Sequence, residues 1–230
     1  MSRSIAALVA FILSVALHGG EAVKPPAQTG SFVLTLTETS PMSAWPMLST
    51  RFGWNAGDGP SYAYDIAKEP FDVYVPASYD GTRPFGLIAY ISPGKGGGPI
   101  GGYSAVLDRY DLIWIGNQSV ENERDVPFRQ ALTLDGVHGI LARYRIDPER
   151  IYVAGTSGGG RCASEAAPRF PDVYTGGGIY FIGCNGMDAP GGKDSNRLRE
   201  LAKTHRYAFM TGENDFNKPG TQSVFAQYKG

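Results

Sequence analysis

The chain has 230 residues, with 21 Lys+Arg against 22 Asp+Glu and a formal net charge of −1. Hydrophobic residues make up 42%, which excludes a disordered chain, and the balanced charge excludes the basic excess of a nucleic-acid or polyanion binder. Gly (31) and Pro (16) are abundant but without a repeat period, so collagen-like and low-complexity classes are excluded and one α/β domain suits the length.

The N-terminus reads as a targeting segment. Arg3 lies in a short polar start, and Ile5 to Leu17 is apolar except for Ser14. Gly20 and Ala22 follow with the spacing of a cleavage site. The run is too short for a bilayer span, which needs about 20 apolar residues. A signal peptide over 1–22, a linker over 23–30 and a single domain over 31–230 are therefore expected, with a secreted or periplasmic location and no membrane attachment after cleavage. Export permits disulfides. The two cysteines, Cys162 and Cys184, allow one bridge, and two buried free thiols are the alternative.

Phe32 to Thr37 and Phe71 to Val75 alternate apolar and polar residues, as half-buried strands do. Arg51 to Tyr62 is turn-rich and aromatic. Leu87 to Ile91 and Leu112 to Ile115 are continuous apolar runs, the pattern of strands buried on both faces. Between them lie the glycine-rich stretch Ser92 to Gly102 and a short helix over Tyr103 to Tyr110. Val126 to Tyr144 is the clearest helix, with Asp125 as cap, Pro127 in its first turn, and Leu134, Val137, Leu141 and Tyr144 on one face. Asp147-Pro148 is expected to break the chain before a strand over Ile151 to Ala154. A helix ending near Ala167, a strand over Ile179 to Ile182, a helix over Asn196 to Lys203, a strand over Tyr207 to Met210 and a helix over Gln222 to Tyr228 complete the series. Strands and helices in alternation predict a three-layer α/β sandwich around a mostly parallel sheet, with ligands at the carboxyl ends of the strands.

Gly155-Thr156-Ser157-Gly158-Gly159 is a G-x-S-x-G motif between a buried strand and a helix. Such a sharp turn strains the serine backbone and lifts its hydroxyl above the sheet at a helix N-terminus. Ser157 is the candidate nucleophile and the Gly158 amide a candidate oxyanion donor. The second donor should come from the loop after Ile91, from Gly94 or Lys95. That loop is no P-loop, because Lys95 precedes Gly96 rather than Ser or Thr. The acid should follow the Tyr207–Met210 strand, where Asp215 is the candidate and Glu213 the reserve. The chain holds three histidines: His18, in the leader; His138, in the long helix; and His205, before a strand at the end of the sheet remote from the elbow. None follows Asp215. No residue set has metal-ligand spacing, and no cofactor is expected. Asn117-Gln118-Ser119 is a glycosylation sequon on the active-site side, where a glycan would block entry. Asn122 to Asp125 is expected to be a solvated loop and cap.

The runs Phe71 to Pro76 and Tyr144 to Val153, the elbow Gly155 to Gly160, and Thr211 to Asn217 resemble the α/β-hydrolase superfamily. They are most similar to its secreted esterase branch near polyhydroxybutyrate depolymerases and feruloyl esterases. The resemblance covers Phe71 to the C-terminus. It implies an acyl-enzyme ester hydrolase acting on small or polymeric esters, with Ser157 as nucleophile, Gly158 as oxyanion donor and Asp215 as acid. The chain departs from those relatives at Ser92-Pro93, where they carry His-Gly. It also ends before their last strand and the loop that bears the catalytic histidine, so the expected fold is an α/β-hydrolase sheet lacking its last strand and helix. Two alternatives remain: a non-catalytic binding protein on the same scaffold, and a prolyl-peptidase-like activity.

Overall fold

The apolar runs pair into a single sheet because each has two faces to bury. The computed structural model describes residues 28–55, 57, 63–186 and 190–229. The leader expected over 1–22 lies outside these residues, as do most of the linker and positions 56 and 58–62 of the aromatic stretch. The strands are β1 (Gly30–Leu34), β2 (Phe71–Val75), β3 (Phe85–Ile91), β4 (Leu112–Asn117), β5 (Ile146–Thr156), β6 (Gly177–Phe181) and β7 (Arg206–Met210). The helices are α1 (Trp45–Phe52), α2 (Tyr103–Tyr110), α3 (Val126–Leu141), α4 (Gly158–Arg169), α5 (Ser195–Lys203) and α6 (Lys218–Tyr228). The strand order is β1-β2-β4-β3-β5-β6-β7. β2 is antiparallel to both β1 and β4, and every other pairing is parallel.

The inner strands divide their residues between two cores. Phe71, Val73, Val75, Leu87, Ile91, Ile113, Ile115, Ile151 and Val153 face the larger one, with Leu48, Leu132, Val137, Ala163 and Val224 from α1, α3, α4 and α6. Ile88, Tyr90, Trp114 and Ala154 face the opposite side, where Leu107 of α2 packs on them. β3 is buried along its whole length, as its unbroken apolar run predicts. Each of these large side chains contributes about 1.5–3 kcal/mol on burial. The mostly parallel sheet, its helical layers and a strand–serine–helix turn at the carboxyl end of β5 make this the α/β-hydrolase fold.

Two local readings are corrected, and one helix forms where no element was expected. Asp147-Pro148 does not break β5: the pairing with β3 slips between Phe85↔Ile146 and Leu87↔Ile151, and a bulge absorbs the proline. α3 ends at Leu141, which is 45% exposed, whereas Ile140 is fully buried. The helix is buried nearly all round, so its periodicity marks no single apolar face. α1 lies before the stretch read as turns, overlapping it only at Arg51 and Phe52, in a segment to which the sequence assigned no element. Pro46 occupies its first turn, and Gly53 ends it in the left-handed region at φ 69°.

Candidate active site

β5 runs out of the sheet at Thr156, and α4 begins at Gly158. Ser157, between them, has φ 53° and ψ −117°, a region that L-residues rarely enter. Two backbone bonds hold the turn: the Ser157 amide donates to Phe181 O at 2.9 Å, and the Arg161 amide donates to Ser157 O at 3.0 Å. The flanking glycines are required by close approach. A Cβ on Gly155 would lie 2.2 Å from Gly159 O, one on Gly159 2.0 Å from Ile91 O, and one on Gly160 2.3 Å from Gly183 O. Ser157 is half-buried, and its hydroxyl makes no capping bond.

The loop after β3 folds back over the sheet. Gly97 donates to Asp72 Oδ2 at 2.8 Å and accepts from Trp114 Nε1 at 2.7 Å, while Gly96 donates to Gln118 O at 2.9 Å. Arg129 of α3, itself buried, reaches Ser92 O at 3.1 Å. The Gly94 amide donates to Ser92 Oγ at 3.2 Å. Among the described residues the Lys95 amide has no hydrogen-bond partner. Of the two amides the sequence proposes there, Lys95 is therefore the one open to a ligand.

Asp215 lies in the loop after β7, where its Oδ1 accepts from the Asn217 amide at 2.7 Å. Glu213 is exposed and paired with Lys218 Nζ at 2.8 Å. The two described histidines are elsewhere. His138 lines a cavity with Leu36, Thr37 and Glu38. His205 lines one with Asp147 to Arg150 and Gly176, at the amino ends of β5, β6 and β7. Burial pushes the His205 imidazole below its ordinary range.

The structure adds residues the motif does not mark. Asn122 was read as part of a solvated loop. It is exposed, yet its backbone amide donates to Pro93 O at 3.0 Å, and a Cβ on Gly158 would lie 2.0 Å from its Oδ1. Asn122 thus ties the loop after β3 to the first residue of α4. Arg124, two residues on, pairs with Glu69 at 3.0 Å and stacks on Phe128, while Asn122, Glu123 and Asp125 stay exposed, as a solvated loop requires. Asp125 stands at the α3 N-cap position but makes no side-chain cap bond. Tyr90 donates to Thr156 Oγ1 at 2.9 Å beneath the elbow, and burial raises its phenol above the ordinary value. No sequence rule flags Tyr90 or Asn122, because both act through pairing between distant segments. Asn117, the sequon asparagine, is 2% exposed, and its Oδ1 accepts from the Ser119 amide, so no glycan fits there. Cys162 and Cys184 are both free and buried, which settles the pairing in favour of thiols. Among the described residues there is no cluster suited to a metal ion and no helix long and apolar enough to cross a membrane.

No family model and no curated protein matches the chain. Among solved structures, esterase 2 of Thermogutta terrifontis, phosphonylated by sarin, is 16% identical over 72% of this chain and 76% of its own, with a TM-score of 0.49. The acetyl xylan esterase of Aspergillus awamori is 15% identical over 66% of this chain, with a TM-score of 0.46, and a ferulic acid esterase is 15% identical over 76%, with a TM-score of 0.45. The latter is covered over 70% of its own length, whereas this chain spans about half of the Aspergillus enzyme, at 51%.

Proposed function

We propose that the chain is a serine carboxylic-ester hydrolase working through an acyl-enzyme on Ser157, exported to the periplasm or beyond. One observation carries this reading: a serine held at φ 53° and ψ −117° on a strand-to-helix turn walled by three glycines that no other residue can replace without backbone movement. A structural serine gives no reason to maintain such strain. In this reading Ser157 Oγ attacks the ester carbonyl. The amides of Gly158 and of the Gly94–Lys95 turn then receive the developing oxyanion. Asp215 orients and charges a histidine that moves the proton between Ser157 and the leaving alcohol. That histidine is neither His138 nor His205, since both line cavities formed away from the elbow. The base is therefore supplied from outside the described residues. A small or polymeric ester is the substrate, and no cofactor enters the chemistry.

A fluorophosphonate probe tests the assignment. The full chain should label at one site, Ser157→Ala should not label, and His138→Ala and His205→Ala should label like the parent. Labelling that survives in Ser157→Ala refutes the nucleophile. Loss of labelling in either histidine variant that still folds refutes the assignment of the base. The placement of both described histidines also favours a second reading, a binding protein on a hydrolase scaffold. Rapid labelling of the parent that Ser157→Ala abolishes would count against that second reading, since a serine with no base has only an ordinary alcohol's reactivity.

A further inference from the structure

The loop after β3 carries Gly94, Gly96, Gly97 and Gly98, and ordering so many glycines has a high entropic cost. It is nevertheless held at both ends. Its front end lies against the elbow. A Cβ on Gly159 would lie 2.0 Å from Ile91 O and 3.2 Å from the Ser92 carbonyl carbon, and Asn122, whose side chain abuts Gly158, donates its amide to Pro93 O at 3.0 Å. Its rear end lies on β4. Gly97 and Gly116 meet backbone to backbone, since a Cβ on Gly97 would lie 2.0 Å from Gly116 O, and Trp114 Nε1 donates to Gly97 O at 2.7 Å.

Asp72 closes the rear anchor. Alternation along β2 sends Phe71 and Val73 into the larger core and Asp72 to the other face, and the pairing with β4 sets Asp72 opposite Gly116. Its Oδ2 accepts from the Gly97 amide at 2.8 Å, and its Oδ1 accepts from Gln118 Nε2 at 2.6 Å. Gln118 is fixed in turn: its amide donates to Pro70 O at 2.9 Å, and its carbonyl accepts from the Gly96 amide at 2.9 Å. Among the described residues no cation pairs with Asp72, so its carboxylate serves these two neutral donors.

An account of the amides between the anchors singles out one group. Pro93 has no N–H. The Gly94 amide goes to Ser92 Oγ at 3.2 Å, the Gly96 amide to Gln118 and the Gly97 amide to Asp72. From Pro93 to Gly97, only Lys95 keeps an N–H without a partner among the described residues. That donor has no bond of its own to place it, so its neighbours' bonds must.

We propose that Asp72 is a positioning residue: by gripping Gly97 it holds the Lys95 amide where the oxyanion at Ser157 forms. The inference rests on the hydrolase reading and adds to it the side chain that sets the second donor. A plain connection between strands needs no such grip. A preorganised donor does, because one that must reorganise during the reaction gives up its stabilisation. Misplacing it should slow the chemical step and leave probe binding unchanged, since the charge develops only in the transition state.

The test uses the full chain. Asp72→Ala removes both bonds. Asp72→Asn keeps an acceptor for Gly97 and can give Nδ2 to Gln118 Oε1 once that amide turns over, so it should restore what Asp72→Ala loses. Acetate, whose carboxylate oxygen stands in for the oxyanion, is titrated by heteronuclear NMR. In the parent it should shift the Gly158 and Lys95 amides together, and Asp72→Ala should weaken it about fivefold, the worth of one hydrogen bond. Fluorophosphonate labelling of Ser157 should slow about tenfold to a hundredfold in limiting rate with the half-saturating probe concentration unmoved. Should Asp72→Ala fail to fold, Gln118→Leu, which frees Oδ1 alone, should show the same changes in part. Acetate that shifts Gly158 without Lys95, or neither, overturns the proposal. So do a folded Asp72→Ala or Gln118→Leu chain that behaves like the parent, and an Asp72→Asn chain as impaired as Asp72→Ala. Ser157 that labels at one rate in the parent and in Asp72→Ala removes the role of Asp72 and leaves the hydrolase reading. The expected acetate response with labelling that survives in Ser157→Ala removes the hydrolase reading and leaves Asp72 as the residue that shapes the hollow.

Discussion

The backbone strain at Ser157 can be measured as stability. A residue at φ 53° and ψ −117° outside glycine costs about 1–3 kcal/mol. Ser157→Ala keeps the Cβ and hence the strain. It also removes little else, because the hydroxyl makes no capping bond. Ser157→Gly releases the strain but gains unfolded-state freedom worth about 0.4–1 kcal/mol against the fold. The difference between the two variants is then about 1 kcal/mol in favour of glycine. In a domain of this size that corresponds to a Tm roughly 2–4 °C higher for Ser157→Gly. Paired thermal melts by circular dichroism, at one pH and one protein concentration, give the comparison, and a urea titration at 25 °C checks it. Both variants should be dead to the fluorophosphonate probe. A Ser157→Gly chain that melts at or below Ser157→Ala would show that the turn stores no strain, and the argument for a purpose-built nucleophile would go with it.

Gly159→Ala should behave in the opposite way. Its methyl would lie 2.0 Å from Ile91 O, a backbone atom, so α4 and the end of β3 must part at a cost of about 1–3 kcal/mol; a lower urea midpoint and loss of labelling are expected. Cys162 is buried, and burial pushes its thiol to about 11, so with Cys184 also buried neither should react with a disulfide reagent at pH 8 until denaturant is added. Asp135 is fully buried on α3, where Ser40 and Tyr64 donate to it, and desolvation raises its carboxyl above the ordinary value despite those bonds. A raised folded value means that its contribution is complete below the unfolded pKa of about 3.9 and is lost as pH climbs through the folded value. Wild type should therefore lose ground to Asp135→Asn as melts move from pH 4 to pH 7, and a parallel pH dependence of the two would contradict the burial argument.

The legible part of this chain is the part written in local pattern. β2 matches its alternating run at both ends, because Phe71, Val73 and Val75 are buried and Asp72 and Tyr74 only partly so. β3, β4 and β6 betray themselves by unbroken apolar runs that only strands covered on both faces can carry. The elbow is legible for a steric reason. Its glycines stand where backbone meets backbone, and that need is printed in the sequence as small residues two positions either side of Ser157. α3 misleads because its registry of apolar residues holds on every face: Leu132, Leu134, Val137 and Ile140 are all buried, and so are Arg129, Gln130 and Asp135. A helix enclosed by the sheet and the N-terminal segment needs no solvent face, so periodicity cannot locate one.

What remained illegible is held by pairs far apart in the chain, and they surround the candidate site. Asn122 reaches Pro93 and Gly158, Arg129 reaches Ser92, Asp72 holds Gly97, and Arg161 meets Asn217. Each contact joins segments distant in sequence, and the mostly parallel sheet brings the loops and helix starts after its strands to one end. The nucleophile turn can therefore be read from five consecutive residues, whereas the walls that would choose its substrate cannot.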